Sequence, residues 1–373
     1  MNNPTIKKER NSNIELFRII TMLVIVAHHY VVNSGVYQAV MEMESYISLK
    51  SLFYLLFGWG GKTGINCFLL ITGYYMCTSK ITVKKFLKLF LQREFYAITF
   101  FLLFLLTGYN AFSITEFAEV LLPVFSVGRG FTTAYLLFFC VIPFLNMLIE
   151  KMNKKQHIYL IGICLFIYTI LPTFFIADVM FNYVTWFSVV YFIGAYIRLY
   201  PNKIFESAKI TGILSLACLV LSWLSVVAGA YVATKFGKVN LIYFFVSDSN
   251  QFLAVVTAVA SFLFFKNINL GCNKFINKVA ASCFGVLLIH ANSSVMRKWL
   301  WVDTFKCVEN MNTKYYMLHA VLTVVIVYFV CTLIDILRIK FIEKPFFRYA
   351  DKHIDKISEK YKKLESKLFN INQ

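Results

Sequence analysis

The sequence predicts an all-α membrane protein: a polytopic bundle of about ten transmembrane helices with both termini in the cytoplasm. Three observations favour this fold class, namely the composition, a series of long apolar runs and the distribution of lysine and arginine. Of the 373 residues, 59% are hydrophobic and 15% are charged, and the mean hydropathy of +0.67 lies far outside the soluble range. A chain of this composition is expected to cross a bilayer several times.

The apolar runs give the number of helices, because a spanning helix needs about 20 mostly apolar residues. The runs cover 14–34, 52–76, 86–107, 131–149, 158–176, 183–200, 210–233, 242–265, 279–296 and 316–340. The eighth begins near a polar SDSN stretch and the ninth is short, so these two fit the pattern least well. Residues 1–346 are therefore expected to form one transmembrane domain.

The basic residues orient this domain. Cytoplasmic loops carry an excess of lysine and arginine, and an inside N-terminus places about three in four of the 37 basic residues in inner segments. The net charge of +18 is thus attributed to loops that face an anionic leaflet, not to nucleic-acid binding. These features predict a multi-pass protein of the plasma membrane.

The C-terminal segment 347–373 is expected to form a basic amphipathic tail on the cytoplasmic side. Its apolar residues recur at steps of three and four, with lysines on the opposite face. This pattern is typical of a helix that lies on the inner leaflet, and a solvated helix is the alternative.

Two kinds of site are disfavoured. The nine cysteines lie mostly in apolar runs and show no close pair with the spacing of a zinc site, so no metal is expected. The GKT of GWGGKTGINCF would need a glycine at Leu56 to complete a phosphate loop, and its topology places it away from cytosolic nucleotide.

The first apolar run, NIELFRIITMLVIVAHHYVV, contains ionisable groups that lipid disfavours. Arg18 and His29 lie within about 20° of one helical face and are separated by about 16 Å along the axis. Glu15 can pair with Arg18 at i, i+3. A polar lane through the bundle is the functional interpretation. An arginine that snorkels to the membrane surface and a histidine satisfied by a neighbouring helix are the alternatives.

A second intramembrane histidine, His290, lies at a depth that His29 could approach. Asp335, near the inner end of the last run, is expected to pair with Arg338 rather than to act in catalysis. The other histidines are interpreted as non-functional or interfacial, with no predicted partner: His28, His157, His319 and His353.

A cytoplasmic basic run, TSKITVKKFLKLFLQREF, includes Lys85, Lys88 and Arg93 and lies near the inner end where Arg18 is expected. Contact with lipid headgroups is one interpretation. Capture of a phosphorylated cytosolic molecule is the other.

Several of these pieces resemble one family, the integral membrane acyltransferases called acyltransferase 3. The resemblance begins with an arginine, ten residues and a histidine, here Arg18 to His29, and continues with INCFLLITGYYM, where Thr72 replaces a serine. In KKFLKLF, Lys85 and Lys88 stand where the family often has arginine, and the usual proline is missing. Later landmarks are AYLLFFCVIPFLNMLI, WFSVVYFIGAYIRLY, FGVLLIH and LIDILRIKFIEKP, so the resemblance covers 13–346.

The resemblance implies transfer of an acyl group, usually acetyl, from cytosolic acetyl-CoA across the membrane to a hydroxyl of a surface or secreted glycan. The anionic end of the donor would lie against Arg18, Lys85 and Lys88, with Glu15 orienting the arginine. The thin pantetheine arm would extend along the lane.

For the chemistry, His29 is the expected general base or transient acyl carrier, since an imidazole suits proton transfer near neutral pH. His290 would stabilise the oxyanion or position the sugar. Tyr74 and Tyr135 are weaker candidates for lining the site.

A secondary transporter or flippase for a lipid-linked saccharide would also place ionisable groups along a lane. Such proteins more often show internal repeats and broken spans, and this chain has six prolines and no detected repeat. A scaffold without chemistry would not need the alignment of Arg18 with His29. The acceptor sugar, the hydroxyl and the oligomeric state remain open at this point.

Overall fold

The computed structural model describes residues 11–122, 130–351, 353 and 360–361, and all regular structure within them is helical. The tail helix predicted for 347–373 falls largely outside these residues. The α-helices are α1 Ser12–Val32, α2 Val36–Met41, α3 Leu49–Gly58, α4 Gly61–Met76, α5 Val83–Leu106, α6 Ile114–Leu121, α7 Phe131–Lys151, α8 Lys154–Leu165, α9 Leu171–Phe174, α10 Tyr183–Leu199, α11 Ala208–Phe236, α12 Phe252–Asn267, α13 Lys274–Ala280, α14 Cys283–His290, α15 Ser294–Arg297, α16 Cys307–Met311 and α17 Tyr316–Arg338.

Each of the ten predicted runs contains helix, but fewer of them are long, unbroken spans. Six helices in the described residues are long and apolar enough to cross a membrane, and the bent pair Lys274–His290 and Ser294–Thr304 would make a seventh. Tyr183–Leu199 and Phe252–Asn267 are apolar but shorter. The all-α membrane class is confirmed, while the count of ten spans stays a prediction.

The second predicted run is broken between α3 and α4, and close packing against α1 explains the break. A Cβ atom on Gly60 would lie 2.3 Å from Val24, and one on Gly61 would lie 2.2 Å from the ring of His28. Only glycine allows the chain to approach so closely.

The eighth and ninth runs also depart from the prediction. The helix of the eighth run is α12, which begins at Phe252, ten residues after the start of the run at residue 242. In the ninth run, the chain turns by 96° after His290. Ser293 stabilises this turn because its hydroxyl accepts a hydrogen bond of 3.1 Å from the backbone N–H of Met296, at the start of α15.

Helix α1 lies at the centre of the bundle and joins its two hydrophobic clusters. Its first turns contribute Ile14 and Phe17 to a cluster with α4, α7, α10 and α12. Its outer half, from Met22 to Val31, belongs to a cluster with α3, α14 and α17. Both halves of α1 therefore pack against other helices.

The predicted pair of Asp335 with Arg338 is confirmed and belongs to a larger buried network. Arg338 Nε lies 2.8 Å from Asp335 Oδ1, which also accepts hydrogen bonds from Tyr96 at 2.8 Å and Gln92 at 3.3 Å. Arg338 also binds Glu343 at 2.8 Å. The network ties α5 to α17 and keeps each charge paired in the apolar bundle.

His157 and His319 have partners that the sequence did not predict. His157 is fully buried, and its Nε2 lies 3.0 Å from the carbonyl oxygen of Phe192. His319 Nδ1 lies 3.0 Å from the hydroxyl of Tyr30. Both histidines join helices that are distant in sequence, so their partners could not be read from local spacing.

Helices α4 and α10 cross with their backbones in contact. A Cβ atom on Gly73 would lie 2.6 Å from the carbonyl oxygen of Tyr191, and one on Gly194 would lie 2.7 Å from that of Leu70. Small residues permit such close crossings in membranes, where packing takes the place of a hydrophobic driving force.

We expect Gly73→Ala to destabilise the protein by about 1–3 kcal/mol, because the added methyl group must displace the backbone of α10. The measurement is the temperature at which half of the detergent-purified protein loses its monodisperse peak. Gly162→Ala is the matched control, since a Cβ atom there would meet nothing within 4 Å. Equal stability of the two variants would contradict the close crossing.

Candidate active site

A cavity of about 510 Å³ lies at the end of the bundle that is predicted to face outward. Its wall includes the last turns of α1 and α5, the first turns of α4 and α7, all of the bend after α14, and α6. The polar and charged side chains on this wall are His28, His29, Lys62, Arg93, Asn110, Glu116, Glu119, Thr132, Thr133, Tyr183, Asn292, Ser293, Ser294 and Arg297.

His29 and His290 form a direct hydrogen bond at this cavity, with His29 Nδ1 and His290 Nε2 2.9 Å apart. His290 Nδ1 lies 2.6 Å from the carbonyl oxygen of Val286. A carbonyl oxygen only accepts hydrogen bonds, so His290 Nδ1 carries the proton and Nε2 carries the lone pair. His29 Nδ1–H must then donate to His290.

The hydrogen-bond pattern also indicates the protonation of Nε2, the second ring nitrogen of His29. Since Nδ1 carries the proton in the neutral ring, Nε2 holds a lone pair that can accept a proton or attack an acyl group. His29 is half-buried and lines the cavity, whereas His290 is fully buried behind it. Both nitrogens of His290 are engaged, so this arrangement differs from the predicted contact of His290 with a sugar or an oxyanion.

His28 also lines the cavity, which the sequence analysis did not predict. Its Nδ1 lies 2.6 Å from the carbonyl oxygen of Gly58, at the break between α3 and α4. Its ring packs against Gly61. The glycine-rich GWGGKTG segment could have indicated this position of His28, because glycines permit a neighbouring helix to approach closely.

Arg18 lies near the inner end of α1, about 16 Å from His29 along the helix axis. The predicted ion pair with Glu15 is present, with a separation of 3.5 Å, and the Arg18 side chain is 26% exposed. Arg18 also lies within electrostatic reach of Tyr135 and Cys283 on α7 and α14. The guanidinium therefore faces protein on at least one side.

Aromatic side chains lie on the inner side of the cavity. The Tyr135 hydroxyl lies 3.2 Å from that of Thr72, and the Tyr135 ring lies 6.0 Å from the ring of Phe284. Phe284 is six residues before His290, or about 9 Å closer to the inner end. Arg18 is not on the cavity wall. The cavity and Arg18 are thus separate parts of the predicted lane in this conformation.

The remaining predicted residues lie nearer the inner surface. Tyr74 receives a hydrogen bond of 3.0 Å from Arg198, whose guanidinium stacks 4.9 Å from the ring centroid. Lys85 donates to Ser79 at 2.5 Å and to the carbonyl oxygen of residue 80 at 2.7 Å. Lys88 pairs with Glu343 at 2.7 Å. None of these three predicted residues is on the wall of the outer cavity.

Arg93 is a site residue that the sequence analysis placed at the inner surface. It lies ten residues into α5, or about 15 Å along the helix. Its guanidinium donates to the carbonyl oxygens of Glu119 at 3.0 Å and Val120 at 2.7 Å. Arg93 thereby caps the C-terminal end of α6 and holds this short helix against the cavity.

Lys62 is a second cation that sequence reasoning placed in an outer loop. Its ammonium group donates to Asp248 at 3.1 Å and to the Tyr183 hydroxyl at 2.9 Å. These contacts join α4 to the segment before α12 and to α10. The lysine of the rejected GKT motif is therefore a cavity residue with a structural ion pair.

Comparison with known proteins identifies the family of the chain. No curated protein and no solved structure matches the chain. Residues 11–338 match the Acyl_transf_3 family model, described as an acyltransferase domain. The match includes α1 with Arg18 and His29 and ends at the last residue of α17. The chain belongs to the acyltransferase 3 family and is a membrane acyltransferase.

Proposed function

We propose that this protein transfers an acyl group, with acetyl as the expected group, from cytosolic acyl-CoA to a hydroxyl of a surface or secreted glycan. The observation that carries the proposal is the 2.9 Å hydrogen bond of His29 Nδ1 with His290 Nε2, which leaves Nε2 of a cavity-lining ring with a lone pair. The family supplies acyl transfer as the reaction class. The cavity supplies a place where a sugar hydroxyl can meet a base.

In the proposed reaction, His29 Nε2 removes the proton from the acceptor hydroxyl, and the hydroxyl oxygen attacks the carbonyl carbon of the thioester. The C–S bond breaks, the coenzyme leaves as a thiolate, and His29 returns the proton to its sulfur. His290 acts as a positioning residue, because its lone pair accepts the Nδ1–H of His29 before and after protonation. This bond fixes the ring and stabilises the imidazolium, as the third group of a catalytic triad does.

An acyl carrier is the alternative role for His29. The same Nε2 would attack the thioester first and then pass the acyl group to the hydroxyl. His28 could not easily substitute for His29 in either role, because its ring is pressed against Gly61 and its Nδ1 is bound to a carbonyl at 2.6 Å.

The donor would approach from the inner end. Arg18 is the proposed contact for an anionic part of acyl-CoA, since it is partly exposed and Glu15 orients it at 3.5 Å. Lys85 and Lys88 are further candidates, and Lys88 would have to exchange Glu343 for the donor phosphate. On its way to His29, the acyl arm would pass Tyr135 and Phe284, whose rings would separate during transfer.

We expect His29→Ala to lower the transfer rate by about 10²- to 10⁴-fold, because the proton acceptor is lost. The measurement uses membranes that contain the protein, labelled acetyl-CoA and a glycan extract. His290→Ala should cause a smaller loss, since the base remains but its ring is no longer fixed.

His28→Ala is the comparison variant for this experiment, because it removes a neighbouring imidazole from the same wall. Its loss should be well below that of His29→Ala. Wild-type rates in His29→Ala would show that His29 is not the base. Loss of the polysaccharide itself on deletion of the protein, and not only of its O-acetyl groups, would favour a transporter or flippase.

For the inner site, Arg18→Gln should raise the donor concentration for half-maximal rate by about tenfold, as expected when a charge-assisted hydrogen bond is lost. The acceptor concentration for half-maximal rate should not change. Lys151→Gln is the control, because this exposed lysine lies at the inner end of α7. An unchanged donor dependence in Arg18→Gln would remove Arg18 from the donor site.

A further inference from the structure

We infer that the acceptor carries an anionic group, a carboxylate or a phosphate, and that Arg297 binds this group at the wall of the outer cavity. The inference rests on the proposed function and names the chemical class of its acceptor.

The bend after α14 places Arg297 over the cavity. The chain turns by 96° between His290 and Ser294, and Arg297 follows as the last residue of α15. The side chain is half-buried, lines the cavity and lies within electrostatic reach of His29. A group bound by Arg297 would therefore be close to the reacting hydroxyl.

Among the residues that the structure describes, the other two cations on the wall already have partners. Lys62 is paired with Asp248 at 3.1 Å. Arg93 is paired with Glu94 at 2.8 Å and also donates to two carbonyl oxygens at the end of α6. Their charges hold helices together and are compensated within the protein.

Arg297 differs from them, because its guanidinium has no hydrogen bond or ion pair to any residue in the described part of the chain. The undescribed segment 123–129, PVFSVGR, contains no acidic residue. A half-buried cation without a directly paired carboxylate is unfavourable. An anionic substrate group would remove this cost, and guanidinium is the side chain best suited to bind carboxylate or phosphate in a bidentate manner.

The neighbours of Arg297 are suited to the rest of a sugar. Asn292, Ser293 and Ser294 line the cavity beside it and can exchange hydrogen bonds with sugar hydroxyls. The wall also contains Glu116 and Glu119, which would repel an anion. Glu116 accepts a hydrogen bond of 2.7 Å from Asn110. Both carboxylates belong to α6, so the anionic group is expected on the α15 side of the cavity.

The test uses full-length protein in membranes, labelled acetyl-CoA and surface polysaccharide from cells that lack the protein. The polysaccharide is supplied native, with its carboxyl groups chemically reduced, or with its phosphates removed by hydrofluoric acid. Wild type is compared with Arg297→Gln and Arg297→Lys, and Lys298→Gln is the control, because this exposed neighbour does not line the cavity.

On native polysaccharide, Arg297→Gln should raise the acceptor concentration for half-maximal rate by about tenfold, while the maximal rate changes little. Arg297→Lys should recover part of this loss, and Lys298→Gln should behave as wild type. Removal of the relevant anion should bring wild type to the level of Arg297→Gln and leave that variant unchanged. The treatment that does so identifies the anion as carboxylate or phosphate.

An unchanged acceptor dependence in Arg297→Gln would overturn the inference, as would wild-type transfer that is equally efficient on all three preparations. A fall in maximal rate alone, equal on every preparation, would assign Arg297 to the chemical step instead. If wild type transfers no label to any preparation, the proposed glycan acceptor is wrong, which is a different failure.

Discussion

The hydrogen bond between His29 and His290 is the constraint on which the arrangement of this site depends. Two imidazoles in an apolar bundle must satisfy each other or find protein partners, since lipid offers none. The bond joins α1 to α14, and the carbonyl of Val286 sets its direction. The sharp turn after His290 then brings polar residues over His29. This one contact thus fixes the tautomer of His29 and leaves its Nε2 with a lone pair.

Sequence reasoning succeeded where an interaction is local. The pairs Glu15–Arg18 and Asp335–Arg338 are three residues apart on one helix, and helical geometry alone brings them together. The apolar runs likewise report a property of each segment by itself. The break at Gly60 and the depth of Arg93 depend on how separate helices pack, and no spacing rule encodes such contacts. The charge count treated Arg93 as a loop residue because it could not foresee a helix end that needs capping.

The inner and outer halves of the site are separate in this conformation. The outer half is a cavity of about 510 Å³ with His29 on its wall, and the inner half contains the partly exposed Arg18. Tyr135 and Phe284 stand between them with their rings 6.0 Å apart. In the proposed reaction, such a separation would limit the leakage of ions and water, because a permanently open polar channel would dissipate ion gradients.

Helix α1 belongs to both hydrophobic clusters, with Phe17 in one and Ile25 in the other. Arg18 and His29 are therefore held in different halves of the protein by one continuous helix. Their separation of about 16 Å is fixed by backbone hydrogen bonds and cannot adapt to the substrate. In the proposed reaction, this fixed separation would set the minimum distance that a donor must cover between its anionic group and its thioester to engage both residues.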